Sequence, residues 1–172
     1  FENAVATLGT AITSEQARMM SRYTKKVIIS YDADEAGQKA AMRAVKMLTD
    51  VGLDVTILKV PGAKDPDEYI KKFGKDKFRQ LLSQSKSKFD YNLENILAKH
   101  DINLAAEKIK ALHEIEKLIS ETYSSAERDI YIQNVATKLN VDFKSVKDDV
   151  EKIAKQQYKT FKKNESQKVK QD

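Results

Sequence analysis

Apolar residues follow two rhythms along the chain, and the change between them falls near residue 88. In the first half, short apolar runs alternate with helical stretches. Ala4-Val5-Ala6-Thr7-Leu8, ending at Gly9, reads as a buried strand. Val27-Ile28-Ile29-Ser30-Tyr31 reads as a second strand, and Val55 to Val60, closed by Pro61-Gly62, as a third. Between the first two, Thr13 is placed to cap a helix running to about Tyr23, with Gln16 as its capping-box partner. Glu35 to about Val51 sets Ala40, Ala41, Ala44, Val45 and Leu48 at helical spacing, and Gly52 stops it. Asp67 to Phe73 and Asp76 to Leu82 read as two short helices parted by Gly74. The order β-α-β-α-β-α implies parallel strands joined by right-handed crossovers. Strands this uniformly apolar are expected to be covered on both faces.

From about Lys88 no strand-like run recurs. Leu93, Ile96 and Leu97 mark one helix, and Ile109, Leu112, Ile115, Leu118 and Ile119 a second. Ser124-Ser125-Ala126-Glu127 forms a capping box for a third, with Ile130, Tyr131, Val135 and Leu139 inward. Asp142 is placed to cap a fourth that carries Val146, Val150 and Ile153. The expected fold class is therefore α/β, a partial parallel sheet flanked by helices (1–87), followed by an all-α helical bundle (88–154). Residues 155–172 lack a durable apolar stripe and read as a fraying helix end or a basic linker.

Composition narrows the chemistry. Only 5 Gly and 2 Pro favour a helix-rich protein over a sandwich or barrel. With no cysteine, disulfides, thiol catalysis and thiolate metal sites are excluded, and no run approaches the ~20 apolar residues that span a bilayer, so no membrane partner is expected. The chain opens on Phe1 without an initiator Met, as an excised piece of something longer would. Its net charge of +5 is uneven: residues 1–90 hold 16 basic and 12 acidic groups, 91–154 hold 9 and 12, and 155–172 hold 6 and 2. The basic first half allows contact with a phosphate backbone, and solvated lysines explain the same charge.

Two acidic turns carry the candidate chemistry. Asp32-Ala33-Asp34 follows the second strand and Asp65-Pro66-Asp67-Glu68 the loop after the third. In a parallel sheet both loops emerge at the C-terminal edge, where open α/β sheets bind ligands. Carboxylates crowded there repel one another unless a cation sits among them, and hard divalent ions prefer carboxylate oxygens. The competing explanation is structural, since Asp34 and Asp65 each stand where an N-cap belongs. Gly9-Thr10-Ala11 offers backbone N–H groups that suit a phosphate or an ordinary strand-to-helix turn. His100 and His113 lie in the helical half, away from either acidic pair, and read as surface or packed side chains.

Three strings together resemble a known family. Asn3-Ala4-Val5-Ala6-Thr7-Leu8-Gly9-Thr10-Ala11, Tyr31-Asp32-Ala33-Asp34-Glu35-Ala36-Gly37 and Lys59 through Glu68 are similar to the Toprim domain of bacterial DnaG-type DNA primases, and Glu127-Arg128-Asp129-Ile130-Tyr131 resembles the helical subdomain of the same proteins. The resemblance implies a partial Toprim sheet in 1–87. It implies that Asp32 and Asp34 are catalytic metal ligands (Mg²⁺ or Mn²⁺), with Asp65 and Asp67 as a further acidic pair holding metals and nucleotide. It implies synthesis of short RNA primers from nucleoside triphosphates on a single-stranded DNA template, at the bacterial replisome in the cytoplasm. Lys64, Lys71 and Lys72, together with Lys25 and Lys26, become candidates to contact nucleic acid. The family's catalytic glutamate belongs upstream of Phe1, and Glu2 lies in the wrong context to replace it. Zinc is expected only in an N-terminal domain outside this sequence, and the replicative helicase only through a region absent here. The segment alone is therefore expected to be inactive. Three other readings stay open: another Toprim protein such as a topoisomerase or nuclease, a receiver-like signalling module, and a non-catalytic helical module that binds a partner.

Overall fold

The computed structural model describes residues 1–7, 11–32 and 34–168, without side chains at 161 and 163–168. It divides into two compact units, Phe1–Asn92 and Leu93–Asp172.

The first unit runs α1 (Ser14–Tyr23), β1 (Lys26–Ser30), α2 (Glu35–Asp50), β2 (Asp54–Leu58), α3 (Pro66–Phe73) and α4 (Lys75–Leu82). Thr13 and Gln16 form the reciprocal capping box that the sequence predicts, with Gln16 N–H donating to Thr13 Oγ1 (3.2 Å) and Thr13 N–H to Gln16 Oε1 (2.9 Å). β1 and β2 are parallel neighbours in register from Lys26 opposite Asp54 to Ser30 opposite Leu58. α2 is the crossover between them. Its buried face, Ala41, Ala44, Val45 and Leu48, packs with Ile29, Val55 and Ile57, and Ile12, Ala17 and Tyr91 complete that core. Small alanines on α2 let the helix lie close to the sheet. A second cluster of Leu58, Phe78 and Leu81 seats α4 beside the end of β2. The outer edge of β2 is met by Lys86, which exchanges two backbone hydrogen bonds with Ile57 (2.8 and 2.9 Å).

The expected first strand is not seen. Ala4 to Thr7 belong to no strand, and Val5 is 79% exposed. An Ala-rich run has weak strand preference. Its end at Leu8-Gly9, and the Gly9-Thr10 turn considered for phosphate, lie outside the described residues.

The division between the units falls inside α5 (Lys88–Lys99). The second unit continues with α6 (Ala105–Ser120), α7 (Ser125–Leu139) and α8 (Phe143–Lys168). Its buried core draws Ala111, Ile115 and Ile119 from α6, Ile132, Val135, Ala136 and Leu139 from α7, and Val146 and Val150 from α8. Each large side chain buried this way contributes roughly 1.5–3 kcal/mol. Ser124 caps α7 by accepting from Glu127 N–H (3.3 Å), and Asp142 Oδ1 accepts from Ser145 N–H (2.9 Å) at the start of α8. α7 ends on Asn140 in the left-handed region (φ 49°), with Val141 N–H returning to the Ala136 carbonyl (3.0 Å). Residues 155–168, expected as a fraying end or linker, continue α8 as helix. No Gly or Pro follows Gly74, and the segment is rich in Lys and Gln, which favour helix.

His100 closes the α5–α6 corner. Its Nδ1 lies 2.8 Å from Glu107 and its Nε2 3.1 Å from Glu114, and its side chain is 11% exposed. The hydrogen bond to Glu107, then that to Glu114, raises its pKa above the usual 6.5. A group whose pKa is raised by folding stabilises fully below its unfolded value and loses that contribution as pH rises through the folded one. The stability advantage of the wild type over His100→Gln is therefore expected to shrink as pH rises above about 6.5. Urea unfolding of both proteins across that range checks this, and a pH-independent difference would contradict it.

Candidate active site

Because β1 and β2 run parallel as neighbours, their C-terminal ends form one edge of the sheet. Asp32 follows β1 by two residues, and the loop after β2 delivers Asp65 and Asp67. The strand direction sets Lys25 and Lys26 at the other end of β1, away from both acidic turns, so they do not join this edge.

Asp32 is exposed and makes no hydrogen bond among the described residues. Its backbone, however, is tightly held. A Cβ built on buried Gly37 would lie 2.1 Å from the Asp32 carbonyl oxygen. Only glycine lets the first turn of α2 sit against that peptide. Gly37 N–H also donates to Asp34 Oδ1 (2.7 Å), so Asp34 is the N-cap of α2. The capping explanation for Asp34 thus holds, and it fixes the acidic turn through one carboxylate oxygen.

Asp65 caps α3 in the same way. Its Oδ1 accepts from Glu68 N–H (2.8 Å), and Pro66 follows at the first helical position. Asp67 pairs with Lys71 (2.6 Å), which raises the Lys71 pKa. Glu68 accepts from Lys72 Nζ (2.5 Å) and from Lys64 N–H (2.6 Å), and these two bonds, Lys72 first, lower its pKa. Lys72 Nζ also reaches the Gly62 carbonyl (3.4 Å). Of the three candidate lysines, Lys71 and Lys72 are therefore tied to carboxylates of their own helix, while Lys64 donates its backbone N–H to Glu68 and adds its charge nearby. Exposed pairs of this kind are weak, so a phosphate can displace them cheaply.

Among the described residues, no group of three or more Asp, Glu or His side chains stands close enough to grip one metal ion. The strands that precede the two acidic turns end at one edge, and the described carboxylates form no closed cage. Their chemistry is that of hard oxygen donors, which suits Mg²⁺ held by one or two carboxylates together with water and substrate phosphates. Tyr31, half-buried just before Asp32, has its phenol pKa raised by burial. The Ser30 hydroxyl beside it is buried with no partner among the described residues.

In the sequence, Glu68 stands only as one carboxylate of the second acidic turn and Gly37 only as part of the family string; the structure gives each a contact of its own. Gly37 was detectable, because a glycine in the first turn of an otherwise good helix signals a close backbone approach. Glu68 was not, because an exposed glutamate in a first turn is ordinary.

Two families match within the chain. One, described as Toprim-like, covers residues 1–70, and the other, described as the DnaB-helicase binding domain of primase, covers residues 89–143. The second match lies inside the chain and so corrects the expectation that any helicase-binding region lies outside it. A DNA primase from Clostridium acetobutylicum is 38% identical over 146 residues, which is 85% of this chain and 24% of that protein. The chain spans about a quarter of the length of the curated relatives it matches. Among solved structures, the Aquifex aeolicus primase (zinc binding and RNA polymerase domains) is 33% identical with a TM-score of 0.51, covering 81% of this chain and 32% of that one. A DnaG primase catalytic domain bound to single-stranded DNA is 25% identical with a TM-score of 0.55, covering 80% and 45%.

Proposed function

As the chain belongs to the bacterial DnaG-type DNA primases, we propose that its first unit supplies the metal-binding edge of a centre that builds short RNA primers on single-stranded DNA. The observation that carries this reading is the parallel pairing of β1 with β2, which turns both acidic loops toward one edge. Asp32 and Asp34 hold a divalent ion there, Mg²⁺ or Mn²⁺, and Asp65 and Asp67 help hold the nucleoside triphosphate with its metal. A divalent ion in such a centre neutralises the triphosphate and assists attack by the primer 3′-hydroxyl. The protein's own part is to fix the carboxylates. The Gly37 contact sets the Asp32 backbone, and the caps of α2 and α3 orient Asp34 and Asp65. Lys64, Lys71 and Lys72, beside the second acidic turn, meet the phosphates of nucleotide or template. The similarity to a primase catalytic domain bound to single-stranded DNA supports a template of that kind. Zinc belongs to a separate domain of the whole protein, and the work is done in the cytoplasm.

The second unit serves a different role in this reading. Residues 89–143, which match the helicase-binding family, recruit the replicative helicase.

The full-length protein, given single-stranded DNA, nucleoside triphosphates and Mg²⁺, is expected to make short RNA. The 172-residue chain alone is expected to make none, since its described carboxylates form no complete cage. Strand cleavage by the full-length protein in place of RNA synthesis would replace this reading with the nuclease or topoisomerase one.

A further inference from the structure

Lys25 and Lys26, set at the end of β1 opposite the acidic turns, continue a run of positive charge that begins on α1. Arg18 and Arg22 stand four residues apart on the outer face of that helix, so their charges repel each other. Elsewhere in this unit, Lys39, Lys46, Lys71, Lys72 and Arg79 each hold a carboxylate on their own helix. Arg18, Arg22, Lys25 and Lys26 are exposed, and none of them is in an ion pair among the described residues. The carboxylates beside them in sequence or register are Glu15, in the first turn of α1, and Asp54, opposite Lys26 across the strands.

Two large side chains flank the arginines. Met19 is 57% exposed and Tyr23 86%, again four residues apart. A cation in the last turn of a helix complements its dipole, which accounts for Arg22. That effect fades beyond the last turn and puts no aromatic ring in water, so it leaves Arg18 and Tyr23 unexplained. Positive charge without counter-ions beside an exposed ring is the combination that holds a single polynucleotide strand. The cations meet its phosphates, and the ring stacks on an unpaired base of any identity. A membrane-surface helix lays its apolar face into lipid, but the inner face of α1 is committed to the core through Ala17.

We propose that the outer face of α1 and the turn into β1 form a second contact for single-stranded nucleic acid, with Arg18, Arg22 and Lys25 on its phosphates and Tyr23 under a base. Thr24 fixes the turn. Its hydroxyl donates to the Lys26 carbonyl (2.9 Å) and accepts from Lys26 N–H (3.1 Å), so Lys25 is presented from an ordered backbone. The contact is separate from the acidic edge and goes beyond the phosphate role given there to Lys64, Lys71 and Lys72.

The test is fluorescence anisotropy of a labelled oligothymidylate titrated with the 172-residue chain across a salt series, with an oligouridylate of equal length to tell a DNA template from an RNA product. Arg18→Gln/Arg22→Gln keeps a good helix former at both exposed positions. Its logarithmic salt slope is expected to be shallower by about 1.4, from two phosphate contacts at about 0.7 each. Tyr23→Ala is expected to bind about fivefold or more weakly, with the slope unchanged. Thermal melts of both variants are expected to match the wild type. Wild-type affinity in either variant, or no binding by the wild type at low salt, overturns the proposal. Lys71→Gln/Lys72→Gln in the same titration reports separately on the acidic edge. If only that variant weakens binding, the contact at α1 is absent and the reading of the edge stands. Loss of binding to phosphatidylglycerol vesicles by the α1 variants, with both oligonucleotides unaffected, would assign the face to a membrane instead.

Discussion

Replacing Asp32 with asparagine in the full-length primase is expected to lower primer synthesis by about two to three orders of magnitude, because a metal's charge stabilisation of the transition state is worth several kcal/mol. The fold should not register the change. Asp32 is exposed and makes no hydrogen bond among the described residues, so the melting temperature is expected to match the wild type. Asp34→Asn separates the two roles of its neighbour. Asparagine caps a helix as well as aspartate does, so stability should survive while activity falls. Asp34→Ala should lose activity and, in addition, about 1 kcal/mol of stability with the cap. Primer yield at fixed Mg²⁺, set beside thermal melts of the same preparations, decides the matter. Wild-type primer yield from Asp32→Asn would remove this aspartate from the metal site.

Gly37→Ala is expected to damage both stability and activity although it adds a single methyl group. The added carbon would lie 2.1 Å from the Asp32 carbonyl oxygen, and backbone on both sides leaves no flexible end to yield. Alanine gains about 1 kcal/mol in helix preference over glycine, which works against the expected loss. Overpacking in a closed site typically costs 1–3 kcal/mol or more, and a clash with a main-chain oxygen belongs at the upper end. A net loss of roughly 2 kcal/mol in urea unfolding follows. Because relief of the clash must move the Asp32 peptide, primer synthesis should fall further than the stability loss explains. A variant as stable and active as the wild type would show that α2 does not sit against Asp32 in solution.

Much of this architecture was legible because local and global signals agreed. The β-branched runs at Val27 and Val55 announced their strands, and the alanine spacing of α2 announced the crossover between them. Once those were in place, the common edge for the acidic turns followed from direction alone. The failures have distinct causes. Ala4 to Thr7 looked like a strand by hydrophobicity, but two of its four residues are alanines, whose strand preference is weak, and the run is not a strand. Lys86 joins β2 from within a Ser-Lys-Ser-Lys stretch that carries no strand signature, because a single bridge depends on where α4 leaves the chain. The burial of Glu116 on α6, at 1% exposure, was hidden by its own charge, since a glutamate beside two isoleucines on a helix reads as the start of the wet face. At Asp34 and Asp65 the sequence offered capping or metal binding as rivals. The caps are present, and they are compatible with the second role, because each engages one oxygen of the carboxylate.

The crossover helix has a wider consequence. The acidic turns are some thirty positions apart in the chain and follow strands that end at one edge of the sheet only because α2 folds back and lets β1 lie against β2. On the proposed metal-binding reading, Ala41, Ala44, Val45 and Leu48, which offer no ligand atom, set the local concentration of ligands that a divalent cation would meet. On that reading, cation affinity and cohesion of the sheet would be one linked equilibrium: whatever loosens the interior of this unit would dilute its ligands, and a bound cation would tighten an interior it never reaches.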